Sequence, residues 1–222
     1  MKQLILALYA EGRTDERFLP VIIQRTADRL LRRHALASVE VMGITSLKAD
    51  GAASNHAESI LSVARQACGF HALVVHADAD APTAKNARQQ RFLPGQQLVQ
   101  ASDNHVCRDL LPIIPIRMME SWIMADVAAF QEVVGTNMRG ADMGFPAHPQ
   151  QVESIQNPKH ELKMLLNQVF TQRRRRKASL GQYYEPLARH ISLEQLDGVP
   201  AFQQFVDDLT EMLTDLHFIR VA

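Results

Sequence analysis

Two short apolar runs constrain this chain more than any other feature: LILALY at 4–9 and ALVVH at 72–76. Neither shows the strict alternation of a strand with one wet face. A nearly continuous run fits a strand covered on both sides, as in a parallel sheet. Both runs stop in acids. The first leads into Ala10-Glu11-Gly12-Arg13-Thr14-Asp15-Glu16, the second into Ala77-Asp78-Ala79-Asp80.

Parallel strands need helical crossovers, and the sequence supplies them. Phe18, Ile22, Ile23, Ala27, Leu30 and Leu31 recur at roughly helical spacing. Thr14 is the expected N-cap, with Asp15 and Glu16 in the first turn, where a helix dipole favours acids. Pro20 is awkward in a helix begun at Asp15, so the regular helix is expected a few residues later. A second strand is expected over 39–44 (VEVMGI) and a second helix over 55–68. A loop with a short helix is expected over 82–96, a helix over 97–111, a fourth strand over 113–117 (IIPIR) and a helix over 118–130. This alternation predicts an α/β domain over 1–130, a Rossmann-like, mainly parallel sheet flanked by helices. Residues 131–157 are rich in Gly, Pro, Asn and Gln and read as a long loop. Helical patterns follow over 158–171, 179–190 and 198–217, so 131–222 is expected to be a loop and helical extension packed on the first domain.

A chain of 222 residues suffices for such a domain and extension. Hydrophobic residues make up 46% and charged residues 22%, the balance of a globular chain with a real core. The 24 Lys and Arg match the 24 Asp and Glu, so a polyanionic partner must be drawn by local patches and not by net charge. Cys68 and Cys107 lack metal-ligand spacing and imply neither a disulfide framework nor a zinc knuckle, which fits a reducing cytoplasm. The apolar start is about half the length needed to span a bilayer and has no small-x-small cleavage site. Neither a membrane segment nor a signal peptide is expected.

In open α/β sheets, ligands bind outside the carboxyl ends of the strands. Glu11, Asp15 and Glu16 follow the first strand, Asp78 and Asp80 the third, Glu120 and Asp126 the fourth. Carboxylates gathered there repel one another and call for a counter-ion. Mg²⁺ typically takes one or two carboxylates together with waters and substrate phosphate. Singly, each acid has an ordinary explanation: a polar loop for Asp-x-Asp, helix-start acids for Asp15 and Glu16, a solvated Glu120, a capping Asp126. Jointly they point to a Mg²⁺ or Mn²⁺ site.

The joint pattern resembles the Toprim fold of topoisomerases, primases and OLD-family nucleases. Its signature is a glutamate closing the first strand, in a hydrophobic run followed by Glu-Gly, and an Asp-x-Asp closing a later one. Here these are YAEGRTDE at 9–16 and VVHADAD at 74–80. The EGRTDE stretch is similar to small bacterial Toprim-like proteins and OLD-type nucleases. The segment PIRMMESWIMAD at 115–126 is similar to a P…E-x-W-x-x-A-D segment of small uncharacterised bacterial Toprim-like proteins, and NPKHELK at 157–163 to their later segment.

The resemblance implies phosphodiester hydrolysis of nucleic acid, DNA or RNA, and, by the company such families keep, a role in phage defence or in a toxin-like system. It implies Glu11 as metal ligand or general acid/base, Asp78 and Asp80 as ligands to Mg²⁺ or Mn²⁺, and Asp15 as an added ligand. Glu120 is a further candidate ligand, and Lys159 or Lys163 would stabilise the transition state. The chain has no primase zinc motif, topoisomerase tyrosine domain or Walker A loop, so an ATPase would be a separate partner; a homodimer stays open. Two other functions also stay open: phosphohydrolysis or phosphotransfer on a small nucleotide, and a non-catalytic regulatory subunit.

Nucleic-acid contacts are expected from Arg88 and Arg91, which follow the Asp-x-Asp, and from the tract Arg173, Arg174, Arg175, Arg176 and Lys177. A solvated loop or helix end is the default reading of that tract, and a nucleic-acid backbone contact the sharper one. Tyr183 and Tyr184 are expected to pack the extension, with base stacking as the alternative. His76 is expected to be structural, with a role behind the metal ligands as the alternative. Trp122 is expected to anchor the core.

Overall fold

The computed structural model of the chain describes residues 2–102, 105–172 and 180–220. The tract 173–177 lies outside the described residues. The chain groups into two compact units: Met1–Ala77 with Lys85–Ile114 and Gln204–Ala222, and Asp78–Ala84 with Pro115–Gln203.

The first unit is an α/β fold with parallel strands. Strands β1 (Lys2–Leu4), β2 (Leu6–Tyr9), β3 (Val39–Val41), β4 (Thr45–Leu47), β5 (Ala72–His76) and β6 (Leu110–Ile113) form two sheets. One pairs β1 with β3; the other has the order β4-β2-β5-β6, every pair parallel. The run at 4–9 is divided at Ile5, whose N–H donates to His71 Nδ1 at 3.0 Å and whose carbonyl accepts from the His71 N–H at 2.9 Å. Of the expected strand at 39–44 only Val39–Val41 is strand, as β3; β4 begins beyond it, at Thr45. All five residues of β5 are buried, which explains why its sequence does not alternate.

Helices α1 (Asp15–His34), α2 (His56–Gln66), α3 (Lys85–Ala87) and α4 (Leu93–Gln100) belong to this unit. α2 and α4 cover one sheet face: Ile60, Val63, Ala64 and Val99 pack with Ala7, Leu73 and Val75. α1 does begin at Asp15, against expectation. Pro20 costs it only the bond to the Glu16 carbonyl, while buried Phe18, Leu19, Ile22 and Ile23 hold the same helix by packing. Thr14 sits at the N-cap position, but its side chain makes no cap bond.

The stretch 82–96 is more helical than expected. Residues 85–100 form α3, a π-helical turn over Arg88–Phe92, and α4. The expected helix over 97–111 ends by Gln100 instead. The Arg108 guanidinium donates to the carbonyls of Gln100 (3.1 Å) and Ser102 (2.9 Å), so it satisfies the helix end and directs the chain into β6.

In the second unit the expected helix over 118–130 is two: α5 (Glu120–Ile123) and α6 (Val127–Val134). Asp126 divides them, as its Oδ1 caps α6 at the Ala129 N–H, 3.0 Å away. Two 3₁₀ turns, Ala141–Met143 and Pro149–Ser154, interrupt the long loop. Then come α7 (Pro158–Gln172), α8 (Tyr184–His190), α9 (Leu193–Leu196) and α10 (Pro200–Asp215), whose last turns belong to the first unit. Trp122 is fully buried, edge-on to Phe202 with ring centroids 5.4 Å apart. Among the described residues no helix is long and apolar enough to cross a membrane.

Candidate functional site

In the first unit, functional groups collect where β2 and β5 end. These strands are neighbours, with Tyr9 level with Val75. Glu11 follows β2 by two residues, and Asp15 opens α1. Gly12 lets these acids share one turn. A Cβ there would lie 2.7 Å from Asp15 Oδ2, so any other residue would push the Asp15 carboxylate aside. His76, the last residue of β5, is wholly buried, with Nδ1 3.8 Å from Asp15 Oδ2. Glu16 instead faces Lys48 at 3.4 Å, where an exposed lysine adds little. The three acids of EGRTDE are thus separated: Glu11 and Asp15 at the strand edge, Glu16 on an outward ion pair.

Two further side chains address Glu11. Arg91 Nη1 lies 3.4 Å from each carboxylate oxygen. His56, the first residue of α2, has Nδ1 3.7 Å from Glu11 Oε1 and its ring 5.6 Å from that of Tyr9. Burial, then the neighbouring Arg91 and His76, push the His56 pKa below its ordinary value, which favours the neutral imidazole. No signal in the sequence pointed to His56, because α1, β3 and β4 lie between it and Glu11 along the chain. Arg88 turns to Asp208 at 3.4 Å.

In the second unit, the loops beyond β5 and β6 stay paired. The Ala79 N–H donates to Pro115 O at 3.0 Å and the Asp80 N–H to Arg117 O at 3.1 Å. Pro115–Arg117, expected as strand, therefore keeps strand-like bonds outside the regular ladder. Asp80 (φ 50°) and Arg117 (φ 62°) both adopt the left-handed conformation disfavoured for side-chain-bearing residues. Such strain concentrates at binding sites, where surrounding structure holds it in place. Asp78 Oδ1 accepts from the Met119 N–H at 3.1 Å, which ties Asp-x-Asp to the start of α5.

The next residue, Glu120, is buried. Its Oε1 accepts from the Tyr184 hydroxyl at 2.6 Å and lies 3.4 Å from Lys159 Nζ. Tyr184 packs, as expected, but also holds Glu120, a role its sequence position did not announce. Lys163 is exposed one turn further along α7. Asp126 is committed to capping α6 and to the Ser192 N–H at 2.8 Å.

The model for Domain of unknown function (DUF4276) matches residues 10–210. The chain belongs to that family. No curated protein and no solved structure matches it. The DUF4276 match takes in Glu11, Asp15, Asp78, Asp80, Glu120, Lys159 and Tyr184.

Among the described residues no three His, Cys, Asp or Glu side chains converge on one metal position. The donor chemistry nonetheless fits Mg²⁺ or Mn²⁺. Both are hard, oxygen-seeking ions, and Mg²⁺ needs one or two carboxylates with waters completing the shell. The Gly12 cradle beneath Asp15 leaves that carboxylate its place at the turn.

Proposed function

We propose that this DUF4276 protein hydrolyses phosphodiester bonds in nucleic acid with the help of Mg²⁺ or Mn²⁺. The observation that supports this most is the sheet order. β2 and β5 are adjacent and parallel, and their carboxyl ends lead into Glu11 and into the strained Asp78–Asp80 turn. Parallel sheets place their chemistry at that edge.

In this reading Glu11 and Asp15 are oxygen donors within the first unit, and Asp78 and Asp80 have the donor role within the second. When bound, such an ion neutralises phosphate charge and lowers the pKa of water. Glu11 also serves as a proton acceptor. Lys159 brings positive charge beside Glu120, which Tyr184 holds in place. Arg91 contributes a cation for a phosphate oxygen. The free thiols of Cys68 and Cys107 suit a cytoplasmic location, and phage defence is the proposed setting.

The test is cleavage of plasmid, single-stranded DNA and RNA with Mg²⁺ or Mn²⁺, beside Glu11→Gln and Asp78→Asn. Wild type is expected to cut at least one polymer and both variants to lose that activity. Undiminished cutting by the variants would remove the assignment. Phosphate release from a nucleotide, with every polymer intact, would replace the nuclease by a small-nucleotide phosphohydrolase.

A further inference from the structure

In the first unit a cation belonging to the chain already occupies the Glu11 carboxylate. Arg91 Nη1 is 3.4 Å from Oε1 and 3.4 Å from Oε2. A single nitrogen equidistant from both oxygens stands on the open, bidentate side of the carboxylate. A divalent ion taking both oxygens would need that same position.

The local sequence builds this placement. Pro94 cannot donate to the carbonyl four residues back, and its ring crowds that group. The π-helical turn over Arg88–Phe92 lies immediately before it and widens the backbone there. From this turn Arg88 reaches Asp208 while Arg91 reaches Glu11. The helix is also fixed against α2. A Cβ on Gly95 would lie 2.4 Å from Ile60 Cδ1, so glycine permits the close approach of α4 to α2. α2 in turn starts at His56, whose Nδ1 is 3.7 Å from Glu11. Arg91 and His56 therefore reach Glu11 from two helices locked together.

We infer that Arg91 is an internal counter-ion that a divalent cation must displace from Glu11, and that the displaced guanidinium then receives the anionic phosphate. This rests on the proposed metal role of Glu11 and adds an order of binding, cation before phosphate. Two cations on one side of one carboxylate repel each other, so metal and Arg91 exclude one another there. Once released from Glu11, the guanidinium matches a phosphate oxygen pair.

The experiment is calorimetric titration of the full chain with Mn²⁺ at low salt, using wild type, Arg91→Gln and Arg91→Lys. Because the pair is half-exposed, Arg91→Gln is expected to bind Mn²⁺ only about two- to fivefold more tightly. Arg91→Lys retains the charge and is expected to stay near wild type. Inorganic phosphate is expected to bind wild type measurably only after Mn²⁺, and Arg91→Gln is expected to lose that coupling. Equal or weaker Mn²⁺ binding by Arg91→Gln, with Glu11→Gln still impaired, would overturn the inference and leave the metal role of Glu11 standing. Equal Mn²⁺ behaviour of wild type and Glu11→Gln would remove both.

Discussion

At the scale of single residues, burial and one missing Cβ set what the side chains near the acids can do. Gly12→Ala places a methyl group against Asp15 Oδ2. The flexible carboxylate can move, so stability should change little while Mn²⁺ affinity falls; calorimetry beside a urea melt separates the two. Tyr184→Phe keeps the buried ring and removes the donor to Glu120. Hydrogen bonds to charged groups contribute about 1.5–3 kcal/mol, so its urea midpoint should drop accordingly. Burial pushes the Cys107 thiol up to about 11, while Cys68 is exposed. At pH 8 an aromatic disulfide reagent should therefore label one thiol in the folded protein and the second only in denaturant. Glu153 has its pKa raised by burial, against a lowering by the Ala201 N–H. A raised carboxyl pKa favours the fold when protonated, and that contribution is lost as pH rises through the folded value. Glu153→Gln should thus compare best with wild type at neutral pH, an advantage that shrinks as pH falls through the carboxylate range.

At the scale of elements, sequence patterns located segments better than their ends. β5 could be read to the residue, since an apolar run bounded by polar residues leaves little choice. The 97–111 stretch could not, because Arg108 reaching back to the Gln100 and Ser102 carbonyls is a tertiary event with no local signature. The same holds at Asp126, where a bond from the Ser192 N–H reinforces the helix break across 66 residues. Removing that cap with Asp126→Ala should cost about 1–2 kcal/mol in urea denaturation. Gly95→Ala should cost about 1–3 kcal/mol by overpacking Ile60, and should also disturb the reach of Arg91 to Glu11.

At the scale of the whole molecule, the first unit is assembled from three separate stretches of chain, ending with 204–222. Phe205, Leu209, Leu213 and Phe218 in that last stretch are almost completely buried. A chain truncated after residue 203 should fail to give a cooperative thermal transition by circular dichroism, because those core positions would be emptied together.

The sequence by itself determined that the chain is α/β, that its principal strands are buried on both faces, and that acids follow β2 and β5. Short-range chemistry suffices for this, as unbroken apolar runs and helical spacing are local properties. It also pointed to Glu11, Asp15 and the Asp78–Asp80 pair as one kind of chemistry. Only the tertiary structure decided that Glu16 turns to Lys48, that Arg91 and His56 face Glu11, and that Tyr184 holds Glu120. Those pairings join residues tens of positions apart. They depend on how α2 packs on α4 and how α8 meets the start of α5, and no spacing along the chain encodes such packing directly.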